Sequence, residues 1–181
     1  VSQFGLAEGE LGNILIEDLA ITAGANNLIS VANASVVNSL AVRNCTINTV
    51  GKSVFYGNAE GSSFTNVTFS NNVITGLGGG QGTFDIRKGD YVAVTIDNNT
   101  IVGGRDFIRA DANRVTGSVN IFNNVFDGVT LNNGNGVLYV RSTPGSYVVK
   151  NNLFLNENGE NNKLSKDAGI TVPTEMASNF F

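Results

Sequence analysis

The four residues Asn98-Asn99-Thr100-Ile101 recur along the chain with small changes, and this recurrence decides the fold. The other copies are Asp18-Leu19-Ala20-Ile21, Asn44-Cys45-Thr46-Ile47, Asn71-Asn72-Val73-Ile74, Asn123-Asn124-Val125-Phe126, Asn151-Asn152-Leu153-Phe154 and Ser178-Asn179-Phe180-Phe181. Successive copies start 26, 27, 27, 25, 28 and 27 residues apart. A period between about 20 and 50 residues indicates a protein built from stacked structural repeats.

Three positions of the repeat are apolar in each of the first six copies. Counted from the first residue of a copy, position −4 holds Ile14, Leu40, Val67, Val94, Val119 and Tyr147, position −2 holds Ile16, Val42, Phe69, Ile96, Ile121 and Val149, and position +3 holds Ile21, Ile47, Ile74, Ile101, Phe126 and Phe154. The two-residue spacing before the Asn pair is typical of a strand, because alternate side chains of a strand share a face. One strand per repeat cannot bury its own apolar face, so we predict parallel strands stacked repeat on repeat.

The Asn pair predicts a sharp bend, because Asn tolerates left-handed backbone angles and bonds to nearby backbone groups. Identical amides stacked at the strand spacing can also bond to one another along the stack. Cys45 occupies the same position as the second Asn of the other copies, so we expect a small buried thiol at this bend.

A second strand is predicted after each bend. The candidates are Leu28–Val31, Val54–Gly57, Phe84–Arg87, Asp106–Arg109, Leu138–Arg141 and Ile170–Pro173. Linkers of different length precede the last four of them, at Thr75–Thr83, Val102–Arg105, Asp127–Gly136 and Leu155–Ala168. If the repeats stack, these linkers leave the same edge, and variable loops on one face of a repeat array are a usual place for binding.

The pattern therefore predicts an all-β fold, a single-stranded right-handed parallel β-helix of about six to seven rungs that forms one domain over residues 1–181. An antiparallel β-sandwich also has short strands with polar turns, but it would not keep three apolar columns at a near-constant period. Because the repeat that begins at Ser178 is cut in mid-rung, we expect the chain to be an excerpt of a longer protein.

Composition excludes several functions. The 181 residues contain no histidine, which excludes Ser-His-Asp and Cys-His catalysis and every His-ligated metal site. A net charge of −4 argues against nucleic acid as a partner, since such ligands require a basic surface. No stretch approaches the roughly 18 consecutive apolar residues of a membrane span. Asp, Glu, Lys, Arg and Tyr remain, and they suffice for carbohydrate chemistry, either hydrolysis by a carboxylate pair or calcium-assisted elimination.

The second strands carry the best cluster of candidate site residues. Alignment of Ile86, Ile108 and Val140 as inward residues places three arginines in one outward column, with an aromatic and acidic column beside it. These two columns are Arg87, Arg109 and Arg141, and Phe55, Asp85, Phe107 and Tyr139. Stacked guanidinium groups beside aromatic faces suit an acidic polymer, because guanidinium binds carboxylate or sulfate in a forked geometry. Nearby aspartates would instead make the arginines a ladder of ion pairs, and both interpretations stay open.

One segment resembles a known enzyme family. Gly82-Thr83-Phe84-Asp85-Ile86-Arg87-Lys88-Gly89-Asp90, followed by Val94–Gly103, is similar to the region around the catalytic arginine of polysaccharide lyases of the chondroitinase B and alginate lyase type. The resemblance implies a pectin lyase-like right-handed β-helix that cleaves uronic-acid glycans with calcium, a lysine base and an arginine acid. By position, Arg87 would be the catalytic arginine and Lys88 replaces the usual histidine. The lysine base and the acidic calcium ligands of that family have no counterpart at the expected positions.

The whole chain also resembles β-helix domains of secreted Bacteroidetes proteins, through Phe107-Ile108-Arg109 and the Asn repeats. This resemblance implies a secreted or outer-cell-surface location. We therefore expect a carbohydrate-related domain that binds acidic polysaccharide through Arg87, Lys88, Phe107, Arg109, Tyr139 and Arg141, with no metal site assigned. The alternatives are a calcium-assisted polysaccharide lyase with Arg87 as its acid, and a structural spacer or adhesin segment.

Overall fold

The computed structural model describes residues 4–78, 82–128, 136–156 and 169–180. Within these ranges the chain forms nineteen β-strands and no helix. Accordingly, no described segment is a helix long and apolar enough to cross a membrane. The long linkers predicted over Asp127–Gly136 and Leu155–Ala168 fall largely outside the described residues, as does the middle of Thr75–Thr83.

The strands follow one another in groups of three along the chain. They are β1 (Phe4–Leu6), β2 (Gly9–Glu17), β3 (Ala20–Gly24), β4 (Ile29–Val31), β5 (Ser35–Arg43), β6 (Thr46–Val50), β7 (Phe55–Gly57), β8 (Ser63–Ser70), β9 (Val73–Leu77), β10 (Phe84–Ile86), β11 (Asp90–Asp97), β12 (Thr100–Gly103), β13 (Ile108–Ala110), β14 (Val115–Phe122), β15 (Val125–Gly128), β16 (Leu138–Val140), β17 (Ser146–Lys150), β18 (Leu153–Asn156) and β19 (Glu175–Ala177). From β1 to β18, every third strand belongs to the same sheet, and β19 pairs with β17.

Three parallel sheets form the walls of a β-solenoid of about six turns. Sheet 1 contains the long strands before the bend, in the order β2-β5-β8-β11-β14-β17-β19, and sheet 2 contains the strands after the bend, in the order β3-β6-β9-β12-β15-β18. Sheet 3 contains the short strands β1-β4-β7-β10-β13-β16. All pairings between neighbouring turns are parallel, which confirms the parallel solenoid.

Two details of the predicted strands are wrong. Each complete turn has three strands rather than two, because the residues directly after the bend pair as sheet 2 and the predicted second strands form sheet 3. No strand covers residues 170–173, although the backbone N of Thr171 donates to the carbonyl of Val140 at 2.8 Å.

The three apolar columns lie inside the solenoid, as predicted. Ile96 and Ile121 are fully buried and face each other in register between β11 and β14. Ile101 and Phe126 pair in the same way between β12 and β15. Rings from different sheets meet in the centre, where Phe84 and Phe107 lie with their centroids 5.6 Å apart. Each turn thus buries apolar side chains that it could not bury alone.

The bend between sheets 1 and 2 has the same backbone conformation in every repeat. The first residue of each copy has a left-handed φ between 54° and 56°, at Asp18, Asn44, Asn71, Asn98, Asn123, Asn151 and Ser178. Asn and Asp populate this region more readily than other residues with a Cβ, since their short side chains bond locally. The sharp bend that the Asn pair predicts is confirmed.

The second Asn of each pair forms a buried column of amides. The Nδ2 atom of Asn72 donates to Oδ1 of Asn99 at 2.9 Å, and Asn99, Asn124 and Asn152 repeat this bond to the next turn at 2.9 to 3.0 Å. Each Oδ1 also accepts the backbone N–H of the residue one turn before, and the backbone N of Cys45 donates to Asn72 in this way. The Cys45 thiol is buried as expected.

The buried amide column predicts a strong effect of Asn99→Ala on stability. This change removes the acceptor for the backbone N and Nδ2 of Asn72 and the donor to the Phe69 carbonyl. Because these groups would remain buried without partners, we expect the free energy of unfolding to fall by about 3 kcal/mol or more. Urea unfolding followed by circular dichroism measures the difference.

The matched control is the neighbouring exposed residue, Asn98. Asn98→Gly keeps the left-handed φ of 54° accessible and should cost less than about 1 kcal/mol. Equal losses for Asn99→Ala and Asn98→Gly would contradict the role assigned to the buried column.

Tyr147 brings a hydroxyl into the core without a hydrogen-bond partner among the described residues. Burial raises the pKa of its phenol above the ordinary value. The folded state therefore keeps a proton that the unfolded chain loses once the pH exceeds about 10. The contribution of Tyr147 to the free energy of unfolding is therefore fully present below that pH, and it decreases as the pH rises further.

We expect Tyr147→Phe to reduce the alkaline loss of stability. Near neutral pH the variant should match the wild type or exceed it by up to about 1 kcal/mol, because an unpaired buried hydroxyl is removed. Urea unfolding over a series of alkaline pH values measures the slope of the unfolding free energy for both proteins. The same slope in both would contradict the assignment of a raised pKa to Tyr147.

Candidate functional site

The outer face of sheet 3 carries two columns of polar and aromatic side chains. Pairing in register aligns Asp85 of β10 with Tyr56 of β7 and with Arg109 of β13, and Arg109 with Tyr139 of β16. One position beyond the strand ends, Arg87, Asp111 and Arg141 follow in the same register, because the backbone N of Asp111 donates to Ile86 and that of Arg141 donates to Ala110. We call these the first column, which is Tyr56, Asp85, Arg109 and Tyr139, and the second column, which is Arg87, Asp111 and Arg141.

The predicted single column of three arginines is therefore wrong. Ile86 pairs with Ala110 and not with Ile108, which shifts β13 by two residues from the predicted alignment. A shift of two residues leaves every side chain on its predicted face, so the apolar pattern did not reveal it. Arg87 and Arg141 share the second column, two turns apart, and Arg109 lies in the first column on the turn between them.

Phe55 and Phe107 do not lie on the outer face, which corrects their predicted placement. Phe55 pairs with Phe84 on the inner face of sheet 3 and is 1% exposed. Phe107 is fully buried and contacts the rings of Phe84, Phe126 and Phe154. Residue 107 precedes β13 at the corner between sheets 2 and 3, where the alternation of faces within a strand does not apply. A ligand on the outer face has no access to this ring.

Two carboxylates hold two of the arginines in forked pairs. Nε and Nη2 of Arg87 donate to Oδ1 and Oδ2 of Asp85 at 2.8 and 2.7 Å, and the same atoms of Arg109 donate to Asp111 at 3.0 and 3.1 Å. Nε of Arg109 also lies 3.9 Å from Asp85. The side chain of Asp85 is fully buried, whereas Arg87 and Arg109 remain 27% and 21% exposed. Hydrogen bonding to Asp85 raises the pKa of Arg87 above its ordinary value, against an opposing effect of partial burial.

Two tyrosine rings flank the forked pairs. The guanidinium carbon of Arg87 lies 5.7 Å from the centroid of the Tyr56 ring, and that of Arg109 lies 5.6 Å from the Tyr139 ring. Both distances are within the range of a cation–π contact. Each guanidinium group thus contacts at least one carboxylate and one aromatic ring, and its side chain stays partly exposed.

Two further cations lie on the same face. Arg141 is exposed and forms no ion pair with the described part of the chain. Lys88 pairs with Glu60 at 3.0 Å, both being largely exposed. A surface ion pair of this kind contributes little to stability and exchanges easily for another partner. The two columns contain three arginines and two aspartates, and Lys88 next to Arg87 is balanced by Glu60. The balance is one positive charge, on a chain with a net charge of −4.

Sequence reasoning missed Tyr56 and did not identify Asp85 as the partner of Arg87. The spacing itself contains a signal, because Asp85-Ile86-Arg87 and Arg109-Ala110-Asp111 both place opposite charges two residues apart on one face of a strand. Of the aspartates near the arginines in the sequence, Asp111 pairs with Arg109, and Asp106 pairs with Arg105 at 3.3 Å. Within the described ranges no group of three acidic, histidine or cysteine side chains is placed to hold a metal ion.

Comparisons of the chain with protein-family models, curated proteins and solved structures gave no match. The interpretation of the outer face of sheet 3 therefore depends on its own geometry.

The burial of Asp85 predicts a larger loss of stability for Asp85→Ala than for Asp111→Ala. Removal of Asp85 leaves Arg87 without its forked partner in a partly buried position, which should cost roughly 2 kcal/mol. Asp111 is 25% exposed, so its removal should cost less than about 1 kcal/mol. Thermal and urea unfolding of the two variants compare these losses, and a greater loss for Asp111→Ala would contradict the assigned roles.

Proposed function

We propose that the outer face of sheet 3 binds acidic polysaccharide, and that the domain acts as a binding module rather than as a complete lyase. The observation that carries this proposal is the positive balance of the face, with Arg87, Lys88, Arg109 and Arg141 gathered on an otherwise acidic chain. Guanidinium groups are suited to carboxylate and sulfate because their planar donors match the geometry of these anions.

The surrounding contacts support a binding role. Asp85 and Tyr56 fix the guanidinium group of Arg87, so little side-chain entropy is lost when a ligand binds to its free edge. The parallel sheet beneath supplies a rigid, extended surface, which suits a polymer better than a small ligand. Arg141 is exposed and open to a bidentate contact.

A secreted or outer-surface location is part of this proposal, and it is supported by the resemblance to secreted β-helix domains.

In the calcium-assisted lyase alternative Arg87 is the acid. Its Nη1 nitrogen, which does not bond to Asp85, would have to reach the leaving group. Ultraviolet absorbance of unsaturated sugar products, measured with calcium present, would favour the lyase alternative over binding alone.

The proposal predicts that the protein binds acidic glycans and that salt weakens this binding. We expect isothermal titration against a panel of acidic and neutral polysaccharides to show affinity only for the acidic ones, decreasing as ionic strength rises. Arg141→Gln should lower the affinity about tenfold, because one charge-assisted hydrogen-bonded contact is lost.

The matched control is Arg43→Gln. Arg43 is also exposed but lies on sheet 1, where it pairs with Glu17 at 2.5 Å, away from the outer face of sheet 3. This variant should bind like the wild type. Absence of binding to every acidic polysaccharide tested, or an equal loss in Arg43→Gln and Arg141→Gln, would overturn the proposed function.

A further inference from the structure

A groove of about 440 Å³ lies on the outside of the bend between sheets 1 and 2, towards the last turns of the solenoid. Three successive bends line it, those that follow β14, β17 and β19. The volume is within the range of small-molecule pockets, roughly 300 to 1,000 Å³. None of the described residues that line the groove carries a charge. We call it the bend groove, and its outer lining is Asn123, Val125, Asn151, Leu153, Ser178 and Phe180.

One wall of the bend groove consists of exposed amides. Nδ2 of Asn123 donates to Oδ1 of Asp97 at 2.9 Å, and Nδ2 of Asn151 donates to Oδ1 of Asn123 at 3.2 Å. An amide nitrogen carries two hydrogens and an amide oxygen accepts two hydrogen bonds. Each of these two side chains therefore keeps at least one donor and one acceptor position for a ligand.

The amides form a chain of hydrogen bonds with one direction, because the chain begins at a carboxylate. The donated hydrogens point towards Asp97, and the Oδ1 atom of Asn151 lies at the opposite end. Hydrogen bonds in such a chain polarise one another, so this oxygen accepts more strongly than that of an isolated amide. The wall therefore favours a ligand that donates hydrogen bonds from hydroxyl groups.

The charges beside the bend groove disfavour an anionic ligand. An anion would approach the carboxylate of Asp97, and the described lining contains no cation that offsets the repulsion. Lys150, the residue before Asn151, is paired with Glu175 at 2.6 Å. The groove therefore differs in its ligand chemistry from the arginine-bearing face of sheet 3.

The other wall of the bend groove is apolar. Val125, Leu153 and Phe180 lie in register at the start of sheet 2, and they alternate with the buried rings of Phe126 and Phe154. Phe180 is 69% exposed, while Val125 and Leu153 are half-buried. An aromatic ring at the end of an aliphatic row offers a broad apolar surface to a ligand.

We infer that the bend groove binds a short, uncharged oligosaccharide. A neutral sugar has hydroxyl groups along its edge, which both donate and accept hydrogen bonds, and apolar C–H groups on its faces. The first match the amides of Asn123 and Asn151, and the second match the surface ending at Phe180. A wholly apolar ligand would cover these amides without pairing them, which is costly. This inference goes beyond the proposed function, because it assigns a second site with a different class of ligand.

The test uses the intact, isotope-labelled protein and nuclear magnetic resonance of its side-chain amides. Cellotetraose, mannotetraose and maltotetraose are added at millimolar concentration, with tetragalacturonate as the acidic comparison. We expect at least one neutral tetrasaccharide to shift the amide signals of Asn123 and Asn151. The signal of Asn98, which lies at an equivalent bend outside the groove, should not move. Tetragalacturonate should leave all three signals unchanged.

Two variants remove one wall each. Phe180→Ala should lower the affinity for the neutral sugar about tenfold, because the exposed ring is lost. Asn151→Gly removes the amide and keeps the left-handed φ of 55° accessible, and a similar loss is expected. The matched controls are Val73→Ala, in the same outward column, and Asn98→Gly, both outside the groove. Thermal unfolding confirms that each variant is folded.

The outcomes separate this inference from the proposed function. No shift of the Asn123 and Asn151 signals with any of the neutral tetrasaccharides would overturn the inference, and so would full affinity in both Phe180→Ala and Asn151→Gly. A shift that these two variants weaken and the two controls retain supports it. Arg141→Gln should leave the neutral sugar bound as in the wild type, so each site can fail without the other.

Discussion

The hydrogen bond from the Nδ2 atom of one buried Asn to the Oδ1 atom of the Asn one turn further is the contact on which the solenoid depends. It fixes the position of each turn relative to the next at a single residue, which directly follows the residue with the left-handed φ. The buried amide also satisfies backbone groups at the bend that would otherwise be buried without partners. A displacement of one residue would break these bonds together and turn the apolar columns towards water.

This constraint explains which parts of the fold could be predicted from the sequence. The strands of sheets 1 and 2 begin or end within a few residues of the Asn pair, so the repeat alone aligned Ile96 with Ile121 and Ile101 with Phe126. Sheet 3 is reached only after linkers of different length, and its strands have three residues each. With so few apolar positions, an alignment of Ile108 with Ile86 and one of Ile108 with Phe84 are equally compatible with the pattern. The predicted arginine column was wrong for this reason.

The candidate site likewise has features that could be predicted from local strand geometry and features that depend on the pairing between turns. The sequence placed Arg87, Arg109 and Arg141 on the outer face, because alternation within a strand depends only on local geometry. It could not give their partners, since the contact of Arg109 with Tyr139 and its approach to Asp85 depend on the pairing between turns. Phe107 was assigned to the outer face because alternation was extended past the start of β13 to a corner, where the core accepts the ring instead.

The aspartates on this face are compatible with both interpretations of the arginines, a ladder of ion pairs and a binding site. A forked carboxylate occupies two nitrogens of a guanidinium group and fixes its plane, while the third nitrogen keeps its hydrogens. Asp85 is fully buried and holds Arg87 by two hydrogen bonds, while the side chain of Arg87 stays 27% exposed. An arginine without such support would lose more side-chain entropy on binding a polymer that offers only one contact per turn. The same pairs that reduce the net charge of the face therefore orient the charges that remain available.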